Sequence, residues 1–243
     1  MLTPLGNVEA IFRYPVKSMK GEELNTAEMG WHGVQGDRRL AFRRLADESG
    51  FPWLSATKLP TLLLFEPQRP HDGARDAMPT HVRTPDGECL PIFGEQLAAE
   101  VERRHGAPVQ MTHLRQGIFD ETSMSVISLE TVAEIARLSG ASCDVRRFRP
   151  NVAVRLLQSL PFQENNWVGG TLVFGEGDNT GEIAVTMRDV RCSMVNFDPD
   201  SGMGDPEVLR AVVRANGNTA GVYGTVTGIG RLSIGQTVYL RAG

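Results

Sequence analysis

The feature that most restricts this chain is how often it is interrupted. Twenty-six glycines and 14 prolines are spread along 243 residues, so the β-forming runs between them are short. Only three stretches suit a helix: Gly94 to His105, Leu129 to Leu138 and the segment opened by Asp205-Pro206-Glu207. Strand and helix do not alternate regularly, which counts against a doubly wound parallel sheet. The expected fold class is mostly β (α+β), two-lobed and barrel-like, with few short helices.

Val8 to Lys17, VEAIFRYPVK, reads as a strand that Pro15 ends or confines to an edge, since proline lacks a ladder donor. Lys17 and Ser18 then sit on its exit loop. Gly30, Gly33 and Gly36 punctuate the approach to Asp37-Arg38-Arg39, where Asp37 and Arg38 on their own read as a surface ion pair. Leu40 to Leu45 and Leu62 to Phe65 are expected strands, and Pro67 to Pro79 a loop. His81 to Phe93 carries the best hairpin signal, with Pro85-Asp86-Gly87 at the bend. In the first helix Leu97 and Val101 lie one turn apart and Gly106 is the stop. A boundary falls between 95 and 110, dividing the chain into 1–97 and 98–243. No low-complexity linker marks it, so the lobes should share an interface.

After a strand at Val109 to Leu114, a polar tetrad, Asp120-Glu121-Thr122-Ser123, precedes another apolar run. Ser128 is the N-cap of the second helix, whose stripe is Leu129, Val132, Ala133 and Ala136 and whose stop is Gly140. Val152 to Leu156, Leu172 to Phe174 and Ile183 to Met187 read as strands. The third helix turns Leu209, Val212 and Val213 inward, and Gly221 to Leu240 returns to short strands.

A net charge of −4 gives no electrostatic case for nucleic-acid binding. Basic residues still cluster in Arg43-Arg44 and in Arg146-Arg147-Phe148-Arg149, which suits a small anionic ligand or a solvated face. The N-terminus lacks the apolar core of a signal peptide, and no run approaches the roughly 18 apolar residues of a membrane span. Three cysteines, Cys89, Cys143 and Cys192, have no paired spacing and no C-x-x-C, which excludes a disulfide scaffold and a four-cysteine cluster. A soluble, cytoplasmic protein is expected. No phosphate-binding G-x-x-x-x-G-K-[ST] occurs, and Gly175, Gly177 and Gly181 precede a strand, so they are not a dinucleotide fingerprint.

Met187 to Gly202, MRDVRCSMVNFDPDSG, is the stretch richest in chemistry. A strand ends there and presents Cys192 directly after Arg191 and four residues after Arg188. Positive charge favours the thiolate, the form that attacks or binds metal; a small buried hydrophobe is the alternative. Asp198 is open to two roles, proton donor or cap of the Asp-Pro bend.

YPVKSMKG, GDRRL, FRPN and RCSMVNFDPDSG occur in one order along the chain. With them the sequence resembles the MOSC family, molybdenum cofactor sulfurase C-terminal-like proteins, together with its preceding N-terminal β-barrel domain. It is similar to the mitochondrial amidoxime-reducing components and their bacterial counterparts over about Val8 to Leu240. The resemblance implies a β-barrel that binds the molybdenum cofactor, with Cys192 as the metal's protein ligand, a soft donor for such a metal. It places cofactor contacts at Lys17, Ser18, Arg38, Glu121, Thr122, Ser123, Arg149, Asn151, Arg191 and Tyr223. A pterin with a phosphate and a polar edge is chemically matched by arginines, one lysine and small hydroxyls.

The implied activity is reduction of N-hydroxylated compounds such as amidoximes and hydroxylamines. Electrons would come from a separate protein of ferredoxin, flavoprotein or cytochrome type, because the chain carries no cluster domain of its own. A cofactor or sulfur carrier with Cys192 as the carrier thiol is the alternative. Related reductases carry Thr-Thr where this chain has Val195-Asn196, which leaves the substrate preference open.

Overall fold

The structure, a computed structural model, describes residues 1–70, 78–142 and 144–243. The N-terminal part holds β1 (Leu2–Arg13), β2 (Glu22–Leu24), β3 (Thr26–Gly30), β4 (Gly33–Val34) and β5 (Leu40–Arg44). After them come β6 (Glu66–Gln68), β7 (His81–Arg83), β8 (Cys89–Pro91), α1 (Glu95–His105) and β9 (Val109–His113). The rest supplies β10 (Met124–Ser128), α2 (Leu129–Ser139), β11 (Val152–Leu156), β12 (Thr171–Phe174) and β13 (Gly181–Val190). Last are α3 (Pro206–Asn216), β14 (Thr219–Gly228), β15 (Gly230–Ser233) and β16 (Thr237–Arg241).

Seven strands close a barrel in the order β11-β10-β14-β13-β12-β16-β1, with β1 pairing back onto β11 and β2 added outside β1. Only β10 and β11 run parallel within it, joined through α2. Period-two alternation turns Ile11, Val126, Val154, Phe174, Ile183, Val222 and Val238 inward, where they pack with the buried Trp167. At Gly6 the backbones of β1 and β11 approach so closely that a Cβ would lie 2.0 Å from the Arg155 carbonyl oxygen.

The smaller lobe pairs β5 with β9 and stacks β6-β7-β8 in a second sheet, over a core of Val16, Leu40, Phe42, Leu54, Phe65, Leu97 and Val101. A third cluster lies where α2 and α3 pack together and includes Ile127, Ile135, Phe148, Val195, Val208 and Val212. All three helices end on a left-handed glycine, Gly106, Gly140 and Gly217. Ser128 and Asp205 cap α2 and α3 through their side chains.

Several elements differ from expectation for local reasons. The first strand runs from Leu2 to Arg13, and beyond Pro15 only Val16 bridges to Leu40. The expected strand at Leu62 to Phe65 is a 3-10 turn, Pro60–Leu64, because Pro60 presets its first position. Pro67 and Gln68, the start of the expected loop, belong to the strand Glu66–Gln68, whose Pro67 is tolerated on a sheet edge. The rest of that loop falls partly, and Cys143 wholly, outside the described residues. In α2 the buried set is Thr131, Val132 and Ile135, since the Thr131 hydroxyl is tied to Ser128 and to the Phe162 amide; Ala133 is exposed. In α3 Val208, Ala211 and Val212 are buried and Val213 faces solvent. The strand expected over Ile183 to Met187 reaches Val190.

Three strands pair across the division at 97/98. β1 sits between β11 and β16 of the large barrel, β3 pairs with β15, and β5 pairs with β9.

Candidate functional site

A cleft of about 670 Å³ opens between the lobes. Its floor is organised by a buried carboxylate. Where β1 ends, the Tyr14 amide donates to Asp37 Oδ1 at 2.7 Å, Arg38 donates to Oδ2, and Asn151 Nδ2 donates to Oδ2 at 3.1 Å. Asp37 is therefore not a surface ion pair; it is fully buried and ties the YPVKS, GDRR and FRPN segments together. Asn151 also accepts the Ser125 amide and does not line the cleft.

Lys17, Ser18, Arg38 and Arg149 line the cleft beside this hub. Ser18 (φ 65°), Arg38 (φ 49°) and Arg149 (φ 49°) all hold a left-handed backbone, as only two other non-glycine described residues do. Such strain costs about 1–3 kcal/mol per residue and collects where a site is preorganised. The Arg149 and Arg38 guanidinia lie 4.0 and 4.9 Å from the centre of the Tyr14 ring. Burial pushes the Tyr14 phenol well up, so the ring is neutral. Arg149 donates one Nη to the Met19 carbonyl at 2.9 Å, and its other Nη is buried without a protein partner. Burial, with the like charge of Arg38 added and the Tyr14 ring opposing, brings Arg149 down to about 10, still a cation at neutral pH.

Lys17, 6% exposed, meets Asp120 Oδ1 at 2.8 Å. Burial pushes the ammonium down and Asp120 opposes it. Desolvation in the cleft raises the Asp120 carboxyl, but Lys17 outweighs it and holds it below the usual range.

On the barrel wall Arg191 donates Nε to the Ala220 carbonyl and Nη1 to the Phe148 carbonyl, both at 2.7 Å, and its Nη2 lies 2.7 Å from Asp189. Arg191 thereby pins the Arg147–Arg149 turn to the end of β13. Gly221 is required behind it: at φ 82° a Cβ would lie 2.7 Å from the Val126 carbonyl oxygen and 3.1 Å from Arg191 Nη2. Asp189 is 1% exposed and also accepts Ser125 Oγ at 2.9 Å. Arg188, one residue earlier on the strand, is exposed and does not line the cleft.

Cys192 follows as a free, exposed thiol in the cleft, at the N-cap of a 3-10 turn, Ser193–Asn196. Val195 is buried in the helical core, and Asn196 Oδ1 accepts the Leu209 amide near the start of α3. Among the described residues no cluster of three or more His, Cys, Asp or Glu could hold a metal. A metal here would take Cys192 from the protein and its remaining ligands from a bound group.

Glu121 and Tyr223 line the cleft as well, and burial pushes the Tyr223 phenol up. Thr122, Ser123 and Asp198 do not line it. Thr122 donates to the Gly224 carbonyl, and the Ser123 carbonyl packs against Gly33. Asp198 Oδ1 accepts the Asp200 and Ser201 amides and Ser201 Oγ, while Oδ2 accepts Arg147. Desolvation raises its carboxyl, but these donors outweigh it and hold it below the usual range, the state of a turn cap.

Sequence reasoning missed Tyr14, Asp120 and Asp189 as site residues, and the wall made by Phe51, Trp53 and Lys58. Asp120 lay in the polar tetrad, and Asp189 shares the inward face of β13 with Ile183 and Val185. The wall carried no motif.

Fold and cleft define a two-lobed β-barrel protein with a cation-rich cavity lined by the Cys192 thiol. The chain belongs to the MOSC family: the MOSC domain matches residues 101–239 and the MOSC N-terminal beta barrel domain residues 5–122. That family is linked to proteins that bind the molybdenum cofactor. The fold is similar to that of the YuaD protein from Bacillus subtilis (TM-score 0.54, 16% identity, all of both chains covered). YiiM from Geobacillus stearothermophilus matches at a TM-score of 0.38 and 17% identity over 49% of this chain and 54% of its own. No curated protein matches the chain.

Proposed function

We propose that the cleft binds the molybdenum cofactor, with Cys192 as the protein ligand of the metal, and that the protein reduces N-hydroxylated compounds such as amidoximes and hydroxylamines. The observation that carries this reading is the Arg149–Tyr14–Arg38 stack, built on strained backbone and leaving a buried Arg149 donor unpartnered beside the cleft that Cys192 lines. A buried cationic donor without a partner fits an anionic group, and a thiol is the soft donor a metal of this kind takes.

Lys17, Arg38 and Arg149 would hold the phosphate of the pterin, with Ser18, Glu121 and Tyr223 along its polar edges. When bound, the cofactor supplies two-electron oxygen-atom chemistry at the metal. The chain's own part is to bind, to orient and to exclude water. Asp37 and Asn151 fix the cationic loops, Arg191 fixes the loop that carries Cys192, and Phe51, Trp53 and Val195 line the walls with apolar surface. Electrons come from a separate ferredoxin, flavoprotein or cytochrome. No helix among the described residues is long and apolar enough to cross a membrane.

The test is molybdenum analysis of protein purified from a cofactor-competent host, with pterin fluorescence after oxidation and turnover of benzamidoxime with a chemical donor. Near-stoichiometric metal and pterin with turnover is the expected result. Neither metal nor pterin in folded protein would sink the reading. Because Cys192 is exposed and free, a carrier role is the second reading; pterin without turnover, or thiocyanate released from Cys192 by cyanide, would favour it.

A further inference from the structure

The wall facing Cys192 comes from the smaller lobe and lies outside every motif that carries the family resemblance. It is the segment after β5, which contributes Phe51, Trp53, Ser55, Thr57 and Lys58, with Arg44 at its base. Backbone bonds lace this segment to β5: the Leu54 amide donates to Phe42 at 2.7 Å and the Arg44 amide to Pro52 at 2.8 Å. The wall is therefore a fixed surface.

Its chemistry is aromatic and cationic together. Phe51 is 39% exposed and Trp53 half-buried. Arg44 pairs with Asp47 and donates to the Phe51 carbonyl, and its Nε is buried without a partner. Lys58 is exposed. Asp47 pairs with Arg44, and among the described residues no carboxylate forms an ion pair with Lys58. Burial, with Arg44 and Lys58 behind it, holds the nearby His105 imidazole down, so it adds no further charge near neutral pH. Elsewhere in the cleft Lys17, whose ammonium lies 5.0 Å from the centre of the Phe51 ring, pairs with Asp120, Arg38 with Asp37, Arg147 with Asp198 and Arg191 with Asp189, while Arg149 stacks on Tyr14 at the floor.

We infer that the Trp53–Lys58 wall is a substrate subsite that selects planar aromatic compounds carrying an anionic substituent such as a carboxylate. The ring lies against Trp53 and Phe51, and the anion meets Lys58 with Arg44 behind it. The inference rests on the proposed function in taking the N-hydroxylated group to point at Cys192.

Equilibrium binding of benzamidoxime, 4-carboxybenzamidoxime and 4-(trimethylammonio)benzamidoxime to the cofactor-loaded protein tests it, with turnover measured on the same samples. The carboxylate should bind about 1.5- to fivefold tighter than the neutral compound, the range of one solvent-exposed ion pair, and the cation weakest. Lys58→Glu should reverse that order, Lys58→Arg should keep it, and Trp53→Ala should weaken all three compounds alike. Lys58 is exposed, so its variants leave the fold intact. Equal affinities, an order that Lys58→Glu does not change, or no binding of any compound overturns the subsite. Charge-selective binding without turnover leaves the subsite standing and removes the reductase reading; turnover without charge selectivity does the reverse.

Discussion

Asp189 is held between Ser125 and Arg191, and burial, opposed by Arg191, pushes its carboxyl up to about 6. An aspartate in the unfolded chain titrates near 3.8, so between about pH 4 and 6 the folded state binds a proton that the unfolded state does not. The stabilisation from the protonated form is present below the unfolded value and lost as pH rises through the folded one. Urea unfolding of wild type and Asp189→Asn from pH 4 to 7 should therefore show wild type losing ground to the variant as pH rises. The slope is at most about 1.4 kcal/mol per pH unit, and a difference that stays flat would show that the carboxyl titrates normally. Cys192 invites a second residue-scale prediction. Cys192→Ser should abolish molybdenum retention, while Cys89→Ser, on the exposed strand β8, should leave it unchanged. Metal content of the two variants decides it, and retention by Cys192→Ser would remove the ligand assignment.

At the scale of elements, the cleft depends on caps and close approaches as much as on its charged groups. Asp205 caps α3 through the Glu207 amide, and α3 returns the Leu209 amide to Asn196, four residues beyond Cys192. Asp205→Ala should cost about 1 kcal/mol in chemical denaturation and speed alkylation of Cys192 as its turn loosens. Gly221→Ala should cost about 1–3 kcal/mol, since the left-handed backbone and the Val126 carbonyl both refuse a Cβ. The caps, the proline bend of β7–β8, the helices and most strands were legible in the sequence because each is set by residues a few positions apart. The buried stripes of α2 and α3 were not fully legible: Ala133 and Val213 are apolar, but tertiary contacts rotate them outward. Of the site, the motifs gave Lys17, Arg38, Arg149 and Cys192. Asp37's burial and the Trp53 wall depend on partners far along the chain and leave no local pattern.

The whole molecule is not two barrels joined end to end. A fragment of residues 98–243 lacks β1, so β11 and β16 would face each other across a missing strand and leave two unpaired edges. That fragment should be insoluble or molten by near-ultraviolet circular dichroism. Adding residues 1–13 at its N-terminus through a flexible linker should recover part of the native signal, and a well-folded 98–243 would overturn this account of the barrel.

The same threading sets an order of events during synthesis. The smaller lobe can pack as soon as β9 has been made, but β1 waits for its partner β16, at Thr237–Arg241, to leave the ribosome. Lys17 hangs on the end of β1 and Cys192 on the loop after β13, so the two halves of the cleft come into register only when the barrel closes. A nascent chain exposes an open hydrophobic seam until β16 emerges, and any group that needs both Lys17 and Cys192 can be loaded only once that strand has docked on β1.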